Sequence, residues 1–472
     1  MRLPAHKTKI VATIGPASES DQVLEEMIQA GMNVARLNFS HGDFDYHARL
    51  LERLRAAARK TGRRVAILAD LPGPKLRIGT LAQEPVELRA GDFFTLTTQD
   101  ILGDARRVSV SFQRLPEVVK PGDTLFLNDG LIQLQVAETG AEAVKCRVVV
   151  GGELRSRQGL NLPGVSLGIS AFTPQDRECL AFALKQGVDA VSQSFVESAQ
   201  DIKAVREAAA ALGHQPFVIA KIERANALKN LAAILEEADG LMIARGDLGV
   251  EIPIEQIAGI QKQLVRAANL AGKPVIIATQ MLESMTMNLR PTRAEATDVA
   301  NAILDGTDCV MLSGESAVGK YPVAAVNMLA RIAAAIEPLQ PYYRARPDLS
   351  RAEPRQASFR DLIALSVQAI LEKTVPAAVF VPTRSGATAR SIARFRPSVW
   401  IVAVSSLDST CQRLMFTYGA HPVHEPEHPE NWKAYVRRWL AEHDISGDLV
   451  VLTEGPSSKH PEANHRIELI EL

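Results

Sequence analysis

Eight short apolar runs, each ending in polar residues and separated by amphipathic stretches of helix length, constrain this chain more than any other feature. The runs are Lys9 to Ile14, Asn33 to Leu37, Arg64 to Ala69, Asp189 to Gln193, Phe217 to Ile222, Gly240 to Ile243, Pro274 to Ala278 and Asp308 to Leu312. Short aliphatic and β-branched runs alternating with helical periods predict parallel strands buried on both faces. Eight such units predict a parallel (β/α)8 barrel. Their polar ends are Thr13, Asn38 with Ser40, Asp70, Ser194, Glu223, Asp247, Thr279 with Gln280, and Ser313. In a barrel all of these gather at the carboxyl-end mouth, where such folds keep their chemistry. One polar strand end marks only a loop; eight in register, with Lys, Glu and Asp among them, predict a site.

The segment 217–247, FVIAKIERANALKNLAAILEEADGLMIARGD, carries the strongest local signal. Successive strand residues alternate faces, so Lys221 and Glu223 project from the same side at one strand end. A second acid, Asp247, follows the next strand, and the pair predicts a cation site. In RGDLGVEIP, Gly246 and Asp247 are expected in a glycine-containing turn before Pro253, with backbone amides suited to binding a carboxylate.

Between Asp70 and about Asn161 the texture changes to closely spaced strands broken by AGD, PGD and ETGAE turns. This predicts a small all-β domain, residues 71–161, inserted into a barrel formed by 1–70 and 162–340. An insertion at the carboxyl end of a barrel strand lies over the mouth and reads as a lid. The Pro- and Arg-rich stretch Glu337 to Arg355 marks the next boundary. Beyond it, residues 356–472 alternate helix and strand as a doubly wound α/β domain.

Composition matters mainly for what it excludes. A net charge of −1 over 472 residues gives no general attraction to nucleic acid or to an anionic membrane, so an anionic ligand must be held by local charge. No window approaches membrane-span length and the N-terminus has no cleavage signal, so a cytoplasmic protein is expected. Cys146, Cys179, Cys309 and Cys411 show no ligand spacing and read as core residues in a reducing compartment.

The strings VATIGPAS, GMNVARLNFSHG, NLPGVSLGI, AKIERANAL, MIARGDLGVEIP, AGKPVIIATQMLESM, PTRAEATDVANAILDG and LSGESAVGKYPV run through nearly the whole chain. In order and spacing they resemble the pyruvate kinase family. The resemblance implies phosphoryl transfer from phosphoenolpyruvate to ADP, giving pyruvate and ATP. It implies Mg²⁺ (or Mn²⁺) ligands at Glu223 and Asp247, a catalytic lysine at Lys221 and a phosphoryl-contacting arginine at Arg36. Gly246 and Asp247 match the turn that holds the substrate carboxylate. Thr279 corresponds to the residue beside the enolate carbon, and Ser313 lies near a proton route to it. On the nucleotide side stand Asn38, His41, Arg77 and Asp129, the last in an NDGL segment that also reads as a hairpin turn.

The family's K⁺ pocket matches Asn38, Ser40, Asp70 and Leu71. Here, however, the chain reads LPGPKLRIG where the potassium-dependent pattern is closer to TKGPEIRTG. Lys75 therefore reverses a charge near the pocket, and activity without K⁺ is expected. Gln158 replaces a nucleotide-side lysine, with Arg157 beside it. The TRSGATAR segment resembles the family's effector-phosphate loop, with Thr383, Arg384, Ser385, Gly386 and Thr388 as its binding residues. The C-terminal segment lacks the glycine-rich ending of members that bind fructose 1,6-bisphosphate and carries Glu462, so a sugar monophosphate or AMP is the expected effector. The resemblance also implies a homotetramer. Two other readings compete with it. A Mg²⁺-dependent keto-acid aldolase would need neither the insert nor Lys221 beside the metal. A silent sugar-phosphate sensor would have lost Lys221, Glu223, Asp247 or Thr279.

Overall fold

The structure is a computed structural model that describes residues 2–340, 358–455 and 464–472. The expected boundary from Glu337 to Arg355 thus falls largely outside the described residues, and Glu462 wholly so. Strands β1 (Lys9–Thr13), β2 (Met32–Asn38) and β3 (Ala66–Leu71) are joined later in the chain by β12 (Ala190–Gln193), β13 (Phe217–Ile222), β14 (Gly240–Ala244), β15 (Val275–Ala278) and β16 (Cys309–Leu312). They close one parallel barrel in the order β1, β16, β15, β14, β13, β12, β3, β2. Each expected run is one barrel strand.

Two apolar layers hold the barrel. Outward-facing residues such as Ile10, Ala35, Ile67, Val191, Val218 and Ile243 pack against the surrounding helices. Inward-facing residues, among them Val11, Val34, Leu68, Ile219, Met242, Ile276 and Met311, fill the interior. The helices begin where the sequence supplies a cap: Asp43 opens Phe44–Thr61, and Thr292 with Glu295 forms a reciprocal capping box at Arg293–Leu304. The helix Asp21–Ala30 stops at Gly31, whose φ of 123° suits only glycine.

Between β3 and β12 the chain builds the insert. Its main sheet runs β11 (Leu160–Asn161), β7 (Thr124–Leu127), β8 (Ile132–Thr139), β9 (Ala143–Val150), β5 (Phe93–Thr97), β6 (Arg107–Ser109). A separate pair joins β4 (Val86–Leu88) to β10 (Gly152–Leu154). The expectation of pure β structure needs a small correction, because Leu115–Val118 forms one helical turn there. Its core is its own, built on Phe94, Leu96, Leu125, Leu134 and Val144. Since β3 and β12 are hydrogen-bonded neighbours, the insertion leaves barrel closure intact.

The last domain carries the sheet β19 (Ala420–His424), β18 (Trp400–Ser405), β17 (Ala378–Pro382), β20 (Leu449–Glu454), β21 (Arg466–Glu471), with only β21 antiparallel. It caps the amino end of the barrel, and Met415 and Phe416 enter the barrel's interior cluster, where Phe416 stacks on Phe217. Around this plug, Asp308 accepts from Arg396 at 2.7 and 2.8 Å and from the Tyr418 amide at 2.9 Å. Lys9 donates to the Ala420 carbonyl at 2.7 Å. The helical stretch Pro322–Leu339 is long and apolar enough to cross a membrane by length and composition, which corrects the expectation that no window was. It lies on the barrel instead, burying Ala325, Val326, Leu329 and Ala333 in the outer layer.

Candidate active site

Strand periodicity creates the site. The inward set on each strand is apolar in its lower part and becomes polar at the carboxyl end. Val11 gives way to Thr13, Val34 to Arg36 and Asn38, Leu68 to Asp70, Ala190 to Ser192, and Ile219 to Lys221. The parallel register then sets Thr13 beside Arg36, Asn38 beside Asp70, and Asp70 beside Ser192.

These groups form one buried network around Asp70. Arg36 donates from Nε and Nη2 to Asp70 Oδ2 at 2.9 and 2.5 Å and from Nη1 to Thr13 Oγ1 at 2.8 Å. Ser192 donates to Asp70 Oδ1 at 2.6 Å. Lys221 Nζ lies 3.3 Å from Asp70, 3.0 Å from Glu223 Oε1, and donates to Ser194 Oγ at 2.7 Å. Glu223 Oε2 accepts the Phe195 amide at 2.7 Å, which holds Phe195 at a φ of 57°.

The protonation states follow from this arrangement. Burial opposes the charge on Asp70, but Lys221 and Arg36 outweigh it and hold its carboxyl below the usual range. Burial likewise opposes the Lys221 ammonium, and Asp70 and Glu223 more than compensate, so it stays protonated. Glu223 is pushed upward by burial and by the charge of Asp247, against the pull of Lys221. A buried carboxylate pushed upward by a neighbouring carboxylate suits a divalent cation, which removes the repulsion. Among the described residues there is no group of three or more His, Cys, Asp or Glu side chains able to hold a metal. Glu223 and Asp247 are the carboxylates that face one another here, and a pair of hard oxygen donors fits Mg²⁺, an ion commonly bound by one or two carboxylates plus water and substrate oxygens.

Asp247 corrects one expectation. The RGD segment is not a turn but the start of a short helix, Arg245–Glu251, with Asp247 in its first turn. Arg245 pairs with Asp298 at 2.6 Å and donates to the Thr279 carbonyl at 2.9 Å, so it does not neutralise Asp247. The Gly246 amide donates to Thr279 Oγ1 at 2.7 Å. Thr279 and Gln280 sit at φ of 68° and 53°, the left-handed region that a β-branched residue rarely enters. Ser313 follows β16; its amide donates to Glu315 at 2.7 Å, and its hydroxyl is buried without a partner among the described residues.

Above the mouth, insert and barrel face each other across a cleft lined by Lys75, Asn161, Leu167, Phe195, Arg224 and Asp247 among others. The turn Asn128–Leu131 joins β7 to β8 as a hairpin, with Asn128 and Asp129 both at φ 52°. Gly130 rests against Val250 of the helix Arg245–Glu251. Asp129 and Lys75 converge on Gly159, each about 3.8 Å from where its Cβ would stand. Lys75 is thus on the insert side of the cleft, and the cations facing Asp70 are Arg36 and Lys221. Asn38, Ser40 and Leu71 do lie near Asp70: the Ser40 amide donates to Asn38 Oδ1 at 3.1 Å and the Leu71 carbonyl accepts Ser194.

Arg77 donates to the Arg157 carbonyl at 2.9 Å, and Gln158 accepts the Arg155 amide, both within the insert. His41 is exposed after β2, and its carbonyl lies 2.8 Å from His47 Nε2. Thr383 to Thr388 lie at the other end of the barrel, in the capping domain. There Thr383 Oγ1 accepts the Gly386 amide at 3.0 Å and the Arg384 carbonyl accepts Thr410 at 2.6 Å.

Sequence reading passed over Ser192, Phe195 and Glu315. Ser192 was readable as an inward strand residue two before Ser194. Phe195 contributes only a backbone amide, which leaves no residue-type signal. Glu315 ties the loops after β15 and β16 by accepting the Leu282 and Ser313 amides at 3.0 and 2.7 Å.

Comparison with known proteins adds three findings. A family model for the pyruvate kinase barrel domain matches residues 5–326, and one for the pyruvate kinase alpha/beta domain matches residues 361–466. A pyruvate kinase from Thermococcus litoralis is 50% identical over 425 residues, covering 89% of each chain. One from Geobacillus stearothermophilus is 44% identical over 462 residues, covering 95% of this chain and 77% of the relative. A crystal structure of a pyruvate kinase from Cryptosporidium parvum superimposes with a TM-score of 0.91 at 36% identity, over 99% of this chain and 96% of the other.

Proposed function

The chain belongs to the pyruvate kinase family and transfers the phosphoryl group of phosphoenolpyruvate to ADP to give pyruvate and ATP, and from that premise we propose which of its residues do so. The observation that carries the assignment is the buried Arg36, Asp70, Lys221, Glu223 network at the mouth. Phosphoryl transfer is catalysed mostly by positioning and by neutralising charge on the migrating group. Arg36 offers a planar fork for phosphoryl oxygens, and Asp70 fixes its orientation. Lys221 supplies a second cation whose charge is guaranteed by two carboxylates. Glu223 and Asp247 would hold Mg²⁺ (or Mn²⁺), which would supply a polarising charge to the migrating group. The start of the helix Arg245–Glu251, at Gly246 and Asp247, faces the substrate carboxylate, with the Gly246 amide itself donating to Thr279 Oγ1. Thr279 Oγ1 stands beside the enolate carbon, and the buried Ser313 hydroxyl takes part in the proton route to it. Asn38, His41, Arg77 and Asp129 serve the nucleotide side.

Activity in the absence of K⁺ is part of the proposal. Lys75 lines the same cleft as Asp247 from the insert side, where it adds positive charge in place of the acid of the potassium-dependent pattern. The effector is a sugar monophosphate or AMP bound at Thr383 to Thr388, the assembly a homotetramer, and the setting cytoplasmic. The domains divide at 1–70 with 162–340, at 71–161 and at 356–472. The aldolase and silent-sensor readings are set aside, since the phosphate-oriented Arg36 and Lys221 stand intact beside the metal carboxylates. The test is ATP formation from phosphoenolpyruvate and ADP with Mg²⁺, first without K⁺ and then with it. Equal rates are expected. A strict K⁺ requirement would remove the Lys75 argument, and no activity in either buffer would remove the residue assignment.

A further inference from the structure

Two segments connect the insert to the barrel, and each is held by barrel side chains. The outgoing segment is held by Asp176, which accepts the Gly73 amide at 2.9 Å. The returning segment, residues 162–168, lies just past the insert's last strand and still packs against the insert: Leu162 and Leu167 are in its core and Val165 packs against it. Its backbone is held from below by Arg224, the residue after Glu223. Arg224 spends its donors on three separate elements, from Nη2 to the Val165 carbonyl at 2.7 Å, from Nη1 to Glu251 at 3.0 Å, and from Nε to Glu197 at 3.1 Å. The side chains of Arg224 and Glu251 are only 5% and 1% exposed. Glu251 also accepts the Gly164 amide from the same returning segment.

The placement of these groups gives the cluster meaning beyond packing. Arg224 is contiguous with Glu223 at the end of β13. Glu251 ends the helix that carries Asp247 in its first turn, and Val250 on that helix supports the hairpin tip at Gly130. One guanidinium therefore joins both carboxylate-bearing elements to the segment by which the insert returns to the barrel.

We propose that Arg224, with Glu251, is a positioning latch that sets the insert's pose over the mouth relative to Glu223 and Asp247. This rests on the pyruvate kinase reading and goes beyond it, because neither residue touches the reacting atoms. ADP, which is held between insert and barrel, depends on the latch; phosphoenolpyruvate and the divalent cation, held by the barrel alone, do not. A lysine cannot replace the arginine, since one ammonium does not span three acceptors set around a planar fork.

The test compares Arg224→Met, Arg224→Lys and Glu251→Gln with the unaltered enzyme. The readouts are KM for ADP, KM for phosphoenolpyruvate, Mn²⁺ affinity without nucleotide, and amide hydrogen exchange over residues 162–168. Arg224→Met is expected to raise KM for ADP about tenfold, the scale of a lost charged hydrogen-bond set, and to speed exchange in the returning segment. KM for phosphoenolpyruvate and Mn²⁺ affinity should stay within about twofold. Arg224→Lys should behave like Arg224→Met, and Glu251→Gln, which keeps an acceptor oxygen, should shift KM for ADP by about threefold. Unchanged KM for ADP in Arg224→Met, or parallel losses in all parameters in all three variants, would overturn the latch. An unaltered chain without activity would instead overturn the functional reading beneath it.

Discussion

Thr279 shows how much chemistry a single backbone angle can carry. Its φ of 68° costs a β-branched residue on the order of 1–3 kcal/mol, and the Arg245 contact to its carbonyl and the Gly246 amide on its hydroxyl hold it there. The hydroxyl is thereby fixed at the mouth. Thr279→Ala should slow ketonisation, read as proton exchange at the pyruvate methyl group, by a larger factor than it weakens Mn²⁺ binding; unimpaired exchange would remove the role. Lys221→Met should lower kcat by roughly 10²–10³, the scale of losing one preorganised charge. It should also tighten Mn²⁺ binding, because the ammonium 3.0 Å from Glu223 competes with the metal; titration by Mn²⁺ relaxation checks the sign. Lys221, Glu223 and Asp70 were legible in the sequence because a charged side chain closing an apolar strand must emerge at the barrel mouth. The strain at Thr279 was not, since nothing in ATQM marks a left-handed backbone.

At the scale of elements, the barrel strands were read from their apolar runs, but the helix Arg245–Glu251 was not. Two glycines in seven residues argue against a helix, and tertiary packing of Leu248 and Glu251 overrides that propensity. The turn Leu414–Phe416 was equally hidden: an LMF run reads as ordinary core, and only the fold reveals that it plugs another domain. Phe416→Ala should cost about 3–5 kcal/mol, the usual range for a buried aromatic, measured by denaturant unfolding. The strand entrance beside it makes a pH prediction. Burial lowers the Lys9 pKa to about 8 from 10.5, so the native state releases this proton before the unfolded chain does. Between those values the unfolded chain binds more protons, and stability rises with pH. Relative to Lys9→Met, the unaltered protein should gain on the order of 2–3 kcal/mol between pH 7.5 and 10.5, an upper figure for a shift of this size. A flat difference across that range would show that Lys9 keeps its charge in the folded state.

For the whole molecule, the sequence carried the order of domains and the insertion point, because texture changes sharply where strands stop alternating with helices. It did not carry the way the parts grip each other, which depends on single side chains such as Arg224, Asp176 and Asp308. A homotetramer should elute from a sizing column at about four times the chain's 51.2 kDa, and a single-chain mass would remove the proposed assembly. The barrel seam has a consequence for biosynthesis. β1 pairs with β16 in a register that sets Lys9 beside Cys309, 300 residues later. At roughly 5–20 residues per second, the first strand leaves the ribosome some 15–60 s before its partner. The insert, with its own core, can fold inside that interval, and the first three strands must wait as an open edge. Nascent chains arrested before Cys309 should therefore carry a protease-resistant insert on an unfinished barrel, and it is in this window that the protein has most need of a chaperone.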